Sequence, residues 1–451
     1  MKNRILALLA GTLILTASCF DSAKEETTSQ AAITSFTLGY FNVRKNDINA
    51  NRRDTIIEIR DNGALYPMTI DQGNNRIYNT DSLAYGSILN SVTCLVRAFG
   101  KVYCGYEDSM DSLFYPWFPE LALDFTRPLK FYAVSTDGSY IREYSFDLNV
   151  HTMDPDSMRW SGSYGTGFPS FRLKSAVSIN DSVYVFGTDE SGLLAVTARN
   201  VREGSWSGLT NLVGLDVTKW SGTVTTYQDR FYTICGTSLF CSHNGIDWSL
   251  CGTGLLKLFA SGTETGTMYA VNTEGKIVSS EDMVTWKIVQ DVPVGFPDTP
   301  AILFANTLSS NPSISRHVLA GLISNGIEKE SSVWIKLSID SVWTRQSDAL
   351  NGKLSLPAMD RLAIFSYDGS LFAFGTPFDS FWQSMDHGLT WRWCDPFADD
   401  YSTHNNFMQF PDGLKGRDLD FTYALDSYGG IWIMTCDGQV WRGAINRLNK
   451  L

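Results

Sequence analysis

From Ser35 onward the chain alternates short apolar runs with clusters of glycine, asparagine, aspartate and serine, and no stretch sustains a helical period. This pattern predicts an all-β protein. Tyr66-Pro-Met-Thr-Ile-Asp71 and Arg76-Ile-Tyr-Asn79 flank the turn Gln72-Gly-Asn-Asn75, a hairpin signal. Ser91-Val-Thr-Cys-Leu-Val-Arg97 and Lys101-Val-Tyr-Cys104 are expected to pair across Phe99-Gly100. Leu129 to Val134 and Tyr140 to Val150 bracket Ser135-Thr-Asp-Gly138, whose aspartate-glycine pair favours a tight turn. Roughly seven strands within 35–152 predict a small immunoglobulin-like β-sandwich, although the Cys-Trp-Cys spacing of antibody domains is absent.

Beyond Trp160 the pattern repeats. Each unit has an apolar strand, then a second strand often carrying Phe-Gly or Tyr-Ala, and ends near a tryptophan. Five units end at Trp206, Trp248, Trp286, Trp343 and Trp391. A sixth runs through Phe421-Thr-Tyr-Ala-Leu425 and Gly430-Ile-Trp-Ile-Met-Thr435 to Trp441, and it lacks a fourth strand. Repeats of about 40 to 50 residues with four strands each are propeller blades. The missing strand is expected from Asp156-Ser-Met-Arg-Trp160, which would close the ring and leave no exposed blade edge. The predicted fold is therefore a sandwich followed by a six-bladed β-propeller over 153–451, with seven blades as the alternative count.

Three turns share one spelling: Ser242-His-Asn244-Gly245-Ile-Asp-Trp248, Ser280-Glu-Asp282-Met-Val-Thr-Trp286 and Ser384-Met-Asp386-His-Gly388-Leu-Thr-Trp391. They resemble the Asp-box of sialidase-like propellers. In such a turn the serine and aspartate side chains satisfy backbone donors, glycine supplies a positive φ, and tryptophan packs between blades. Asn244 replaces the aspartate in the first copy and Met283 the glycine in the second. The resemblance supports the fold and not sialidase chemistry. Phe171-Arg172-Leu173-Lys174 only faintly matches the sialidase Phe-Arg-Ile-Pro motif, with Lys174 at the proline position, and the remaining sialidase residues have no counterpart.

The first residues add a location. Lys2 and Arg4 precede an apolar run, Ile5 to Leu15, too short to span a bilayer. Leu15-Thr-Ala-Ser-Cys19 resembles a lipoprotein cleavage box, so 1–19 reads as a signal peptide with Cys19 as the acylated residue. Residues 20–34 are polar and read as a tether. Within them, Lys24-Glu25-Glu26 resembles a surface-export signal of Bacteroidetes-type lipoproteins. The expected location is the outer membrane, displayed at the cell surface, with the periplasmic face as the alternative. Membrane attachment is expected through N-terminal acyl chains.

Composition narrows the partners. The formal net charge of −12 over 451 residues disfavours nucleic acid. Seven cysteines follow Cys19. Cys94 with Cys104, and Cys241 with Cys251, are spaced so that cross-strand pairing is feasible. No spacing matches a zinc site, and the five histidines are scattered, so no metal or other cofactor is expected. Two stretches are candidate ligand loops: the aromatic segment Phe114-Tyr-Pro-Trp117-Phe-Pro, read chiefly as packing on the sandwich, and the acidic loop with Asp395, Asp399, Asp400 and His404.

Ile77-Tyr-Asn-Thr-Asp81-Ser-Leu, Asn149-Val-His-Thr-Met-Asp154-Pro-Asp156-Ser and Trp441-Arg-Gly-Ala-Ile-Asn446-Arg-Leu together resemble a family of Bacteroidetes-type lipoproteins. That family pairs an N-terminal immunoglobulin-like domain with an Asp-box propeller. The resemblance implies layout and location and carries no activity. The expected function is binding or scaffolding at the cell envelope, with propeller loops presented to glycan or protein partners. The alternative is a glycan-active hydrolase or lyase with acids in the propeller funnel. No catalytic residue is assigned. Cys19→Ala is expected to move the protein from the membrane to the soluble fraction on fractionation; retention in the membrane would overturn the lipoprotein reading.

Overall fold

Two-residue turns set the hairpins of the repeat region. Asn180-Asp181, Gln228-Asp229 and Asp368-Gly369 all lie at positive φ, the geometry that matches the twist of paired strands. Each joins the first two strands of a sheet. The computed structural model describes residues 29–48, 54–108, 114–261, 266–298, 301–308, 310–325, 328–346, 354–395, 402–404 and 408–451. Among these residues there is no α-helix.

The chain forms two compact units, which meet in sequence at Asp154 and Pro155. In the first, a six-stranded sheet is built on Leu129–Val134, flanked by Ile141–Asp147 and Lys101–Tyr106. Ala32–Leu38 pairs with Cys94–Phe99 in a second sheet, and Tyr40–Ile48 lies between Asp54–Asn62 and Ser87–Ile88 in a third. Their inward positions share one core containing Phe36, Ile77, Phe131 and Tyr144.

The expected hairpin across Phe99-Gly100 does not form. The strand ending at Phe99 pairs with Ala32–Leu38, whereas the strand starting at Lys101 pairs with Leu129–Val134. The chain changes sheets at Gly100, whose φ is 92°. A Cβ there would lie 2.2 Å from the Val134 carbonyl oxygen, so the crossing requires glycine.

The second unit holds six sheets among the described residues. The first five start at Arg172, Trp220, Leu255, Ala301 and Asp360, and each adds strands outward in chain order. Ala260–Ser261 also joins the edge of the fourth sheet, parallel to Ala301–Leu308. In the sixth sheet Phe421–Leu425 is innermost, followed by Ile431–Thr435 and Val440–Ile445. The outermost strand is Met158–Ser161, antiparallel to Val440–Ile445. Around this junction Asn446 Nδ2 donates to Ser157 Oγ (2.8 Å), and Arg447 bonds both Asp156 and Asp368. The Trp160 ring packs against Gly443, where an added Cβ would sit 2.6 Å from the ring.

One ion pair is fully withdrawn from water in the sixth sheet. Arg442 Nε donates to Asp426 Oδ2 at 2.7 Å, and the two side chains are 5% and 0% exposed. The backbone N–H groups of Tyr428 and Gly430 and the Trp432 indole complete the Asp426 shell. Gly430 leaves room for the guanidinium, which would lie 2.4 Å from a Cβ at that position. Removing one partner of such a pair strands a charge and typically costs about 3–5 kcal/mol. Arg442→Met is therefore expected to lower unfolding free energy by an amount of that order in urea titration, while the double change Arg442→Met with Asp426→Leu recovers part of the loss.

Candidate functional site: the central channel

The strands Arg172–Ile179, Trp220–Tyr227, Ala260–Ser261, Ala301–Leu308, Asp360–Tyr367 and Phe421–Leu425 run side by side, and the space between them is a cavity of about 1410 Å³. Ligand pockets commonly span about 300–1,000 Å³, so this channel exceeds the usual range. Its wall is stitched by hydroxyls. Ser175 Oγ accepts from Val224 N (3.1 Å) and donates to Val224 O (3.3 Å). Thr225 Oγ1 accepts from Ser261 N (2.9 Å). Tyr423 Oη donates to Ile364 O (2.6 Å), and burial pushes its phenol up. These bonds satisfy backbone groups between neighbouring sheets, where no strand ladder does so.

Four of the inner strands slip register near their starts, between Leu173 and Ser175, Trp220 and Val224, Leu255 and Lys257, and Asp360 and Ala363. A bulge turns extra side chains out of the ladder, commonly beside functional sites. Lys174, Gly222, Leu256 and Arg361 stand at these slips, and all line the channel. Arg361 holds a φ of 56° and pairs with Asp420. Lys174 is exposed. The Lys257 ammonium turns aside to the Pro297 carbonyl (2.7 Å) and over the Phe259 ring; burial pulls it down to about 8 against the opposing Asp298 carboxylate.

Among the described residues, the carboxylates lining the channel are Asp181, Asp229 and Asp426. Asp426 is sealed under Arg442 and Trp432. Asp181 and Asp229 sit on the two-residue turns at the far ends of their inner strands. The Asp181 carboxyl is held below the usual range by hydrogen bonds from Tyr428 and Ser427, and by the Arg202 charge. Between the bulges and these turns the wall offers serine, threonine and aliphatic side chains, with Phe421 and Tyr423 from the sixth sheet.

The three serine-to-tryptophan turns all join the third and fourth strands of their sheets, and none of their residues lines the channel. In each, the serine hydroxyl accepts from the N–H of Gly245, Met283 or Gly388. The Asn244, Asp282 and Asp386 side-chain oxygens accept further backbone donors. For Asp282 the Thr285 and Val284 N–H groups hold the carboxyl down to about 2. The indoles of Trp248 and Trp391 donate to Gly245 O and Gly388 O, both 3.2 Å. In the second copy Met283 takes the left-handed conformation (φ 61°), its side chain is buried in the core, and the Trp286 indole N–H finds no partner among the described residues.

The candidate loops lie elsewhere. Trp117 is partly buried on the core of the first unit, while Phe114 is 45% exposed against Tyr103 and Tyr132. Asp395 and His404 end two strands that pair in parallel. Their side chains, together with Asp399 and Asp400, lie outside the described residues, as do Cys19 and 24–26. Among the described residues no three His, Cys, Asp or Glu side chains gather as a metal-binding group. Sequence reasoning missed the inner-strand bulges and the buried Asp426. Gly222 inside a strand pattern was the available signal for one bulge.

A propeller domain occupies the C-terminal two-thirds of this all-β protein. The chain belongs to the family defined by the DUF6242 beta propeller domain, matched over residues 154–450, with the DUF6242 N-terminal domain matched over 36–148. No curated protein matches it. Similar solved structures include YCF48 from Cyanidioschyzon merolae, at 12% identity over 64% of this chain and 98% of that one, with a TM-score of 0.37. An alpha-L-arabinanase from Penicillium chrysogenum, complexed with arabinobiose, is 10% identical over 60% and 92% (TM-score 0.36). A fungal lectin from Aleuria aurantia, described as a six-bladed propeller, is 14% identical over 64% and 93% (TM-score 0.34).

His317 lies on the second long strand of the fourth sheet, 6% exposed and edge-on to Tyr269. Its Nδ1 has no hydrogen-bond partner among the described residues. Burial, and then the Lys336 ammonium, pull its pKa down to about 4 from an ordinary 6.5. The folded state thus keeps the imidazole neutral where the unfolded chain protonates it. The stability this confers is full above about pH 6.5 and is lost as pH falls toward 4, by roughly 2–3 kcal/mol. His317→Phe is expected to flatten that part of the pH–stability profile in urea titrations; an unchanged slope would refute this origin.

Proposed function

We propose that this protein is a lipid-anchored binding protein of the cell envelope. Cys19 carries its acyl chains, and an immunoglobulin-like spacer precedes a six-bladed Asp-box propeller closed by the strand at Trp160. Its ligand is a glycan, held by the channel and its bulged mouth. The single observation that carries this reading is the channel wall. It presents hydroxyls and aliphatic surface at mid-depth, which suits an uncharged polyhydroxylated ligand. Hydrolysis of a glycosidic bond needs two carboxyl groups about 5 to 9.5 Å apart across the bond. Of the channel's carboxylates, Asp426 is committed to Arg442, and Asp181 is engaged by Ser427 and Tyr428. Location at the outer surface accords with the Lys24-Glu25-Glu26 run and is part of the proposal.

The test is a polysaccharide and glycan array probed with the chain from Gln30 onward, which keeps the strand Ala32–Leu38 whole, with product analysis on every hit. Binding without turnover is expected. Ser178 faces the channel from the first sheet, so Ser178→Trp should fill open space and weaken binding at least about tenfold, near 1.4 kcal/mol, with an unchanged unfolding midpoint. Turnover that Asp229→Asn abolishes would replace this reading with the hydrolase.

A further inference from the structure

Two of the cysteines outside the channel are built into one site. Cys241 lies on the third strand of the second sheet, Ser238–Ser242, and Cys251 on the fourth, Ser249–Thr253. Cys241 pairs in register with Ser249, and Phe240 with Leu250, after which the ladder slips so that Leu239 faces Gly252. Cys251 is the extra residue of that bulge. Without the slip, the two cysteines would stand diagonally offset on the ladder. With it, both side chains pack against the same hydrophobic cluster, beside Trp286. Each keeps part of its surface in solvent. The Cys251 thiol also reaches the Leu239 carbonyl (3.4 Å), and Cys241 lies 3.9 Å from Ser249 Oγ.

The other cysteines differ. Cys94 and Cys104 are 1% and 0% exposed in the core of the first unit, where an external oxidant has no access, and burial pushes both thiols up to about 12. Cys235 is buried against Asp216 O, and Cys436 is exposed at a distance in sequence from any other cysteine.

We propose that Cys241 and Cys251 form an oxidisable dithiol, which closes into a disulfide across the outer strands of the second sheet when an external disulfide supplies the oxidant. The Cys241 thiolate attacks one sulfur of the external disulfide, forming a mixed disulfide and releasing one thiol. The Cys251 thiolate then attacks Cys241 Sγ and expels the second thiol. Two protein thiols are oxidised and one external disulfide is reduced to two thiols, which carry away the two protons. The Cys251 thiol donates its proton to the Leu239 carbonyl, and burial pushes it up to about 12 with the Arg230 charge opposing, so Cys251 serves as the resolving rather than the attacking partner.

The test treats the purified full-length protein with glutathione disulfide, blocks remaining thiols with an alkylating agent, and maps peptides by mass spectrometry. The expected result is one intramolecular link between Cys241 and Cys251, no glutathione adduct, and restoration of both thiols by a reductant. Cys251→Ser should instead trap glutathione on Cys241, while Cys241→Ser should leave Cys251 largely unmodified over the same interval. Full alkylation of both cysteines after oxidation, or a persistent glutathione adduct on the unaltered protein, would overturn the proposal. The peptide map of the unaltered protein decides the matter even where a variant misfolds.

Discussion

The propeller depends on one pairing of distant strands. Ser157 and Asn446 are 289 residues apart in sequence, yet they are hydrogen-bonded beside the ladder that joins Met158–Ser161 to Val440–Ile445. Without that ladder the sixth sheet would end at an open edge of unpaired backbone groups, a template for association with other chains. Several unrelated devices converge here: a ring seated on a glycine, an arginine bridging two carboxylates, and a second arginine buried against Asp426 one strand further in. The last of these costs desolvation, so its geometry has to be complete; five donors around one carboxylate provide that.

The channel follows from the ring. The inner strands do not join into a single sheet: apart from Ala260–Ser261 against Ala301–Leu308, no ladder among the described residues links one to the next. Their exposed backbone groups are instead met by Ser175, Thr225 and Tyr423. That requirement explains why hydroxyls rather than charges dominate the middle of the wall.

Much of the propeller is legible in the sequence because its signals are local. A serine, an aspartate or asparagine, and a tryptophan at fixed spacing write out a turn whose serine and aspartate or asparagine side chains meet backbone groups within seven or eight residues. Trp160 is legible by subtraction, since the last unit lacks a strand. The Phe99-Gly100 hairpin is misleading because a glycine between two strands marks a reversal and a change of sheet equally well; only the partners at Val134 and Ala32–Leu38 decide between them. The inner-strand bulges are illegible for a related reason. A register slip is a relation between two strands, and Lys174, Leu256 and Arg361 carry no local mark of it. Asp426 reads as an ordinary turn aspartate until Arg442 is brought to it.

The closing strand also sets an order of events. A polypeptide emerges from synthesis, or through a membrane pore, from its N-terminal side, so Met158–Ser161 is available long before its partner. It must wait, unpaired, while five sheets form and the sixth is threaded past it. Until Val440–Ile445 arrives, the nascent molecule carries two unfinished edges, and premature capture of either by another chain would be a lasting error. Completion of the ring therefore comes last among these pairings, which makes a late folding partner or a sheltered environment most valuable when Val440–Ile445 arrives.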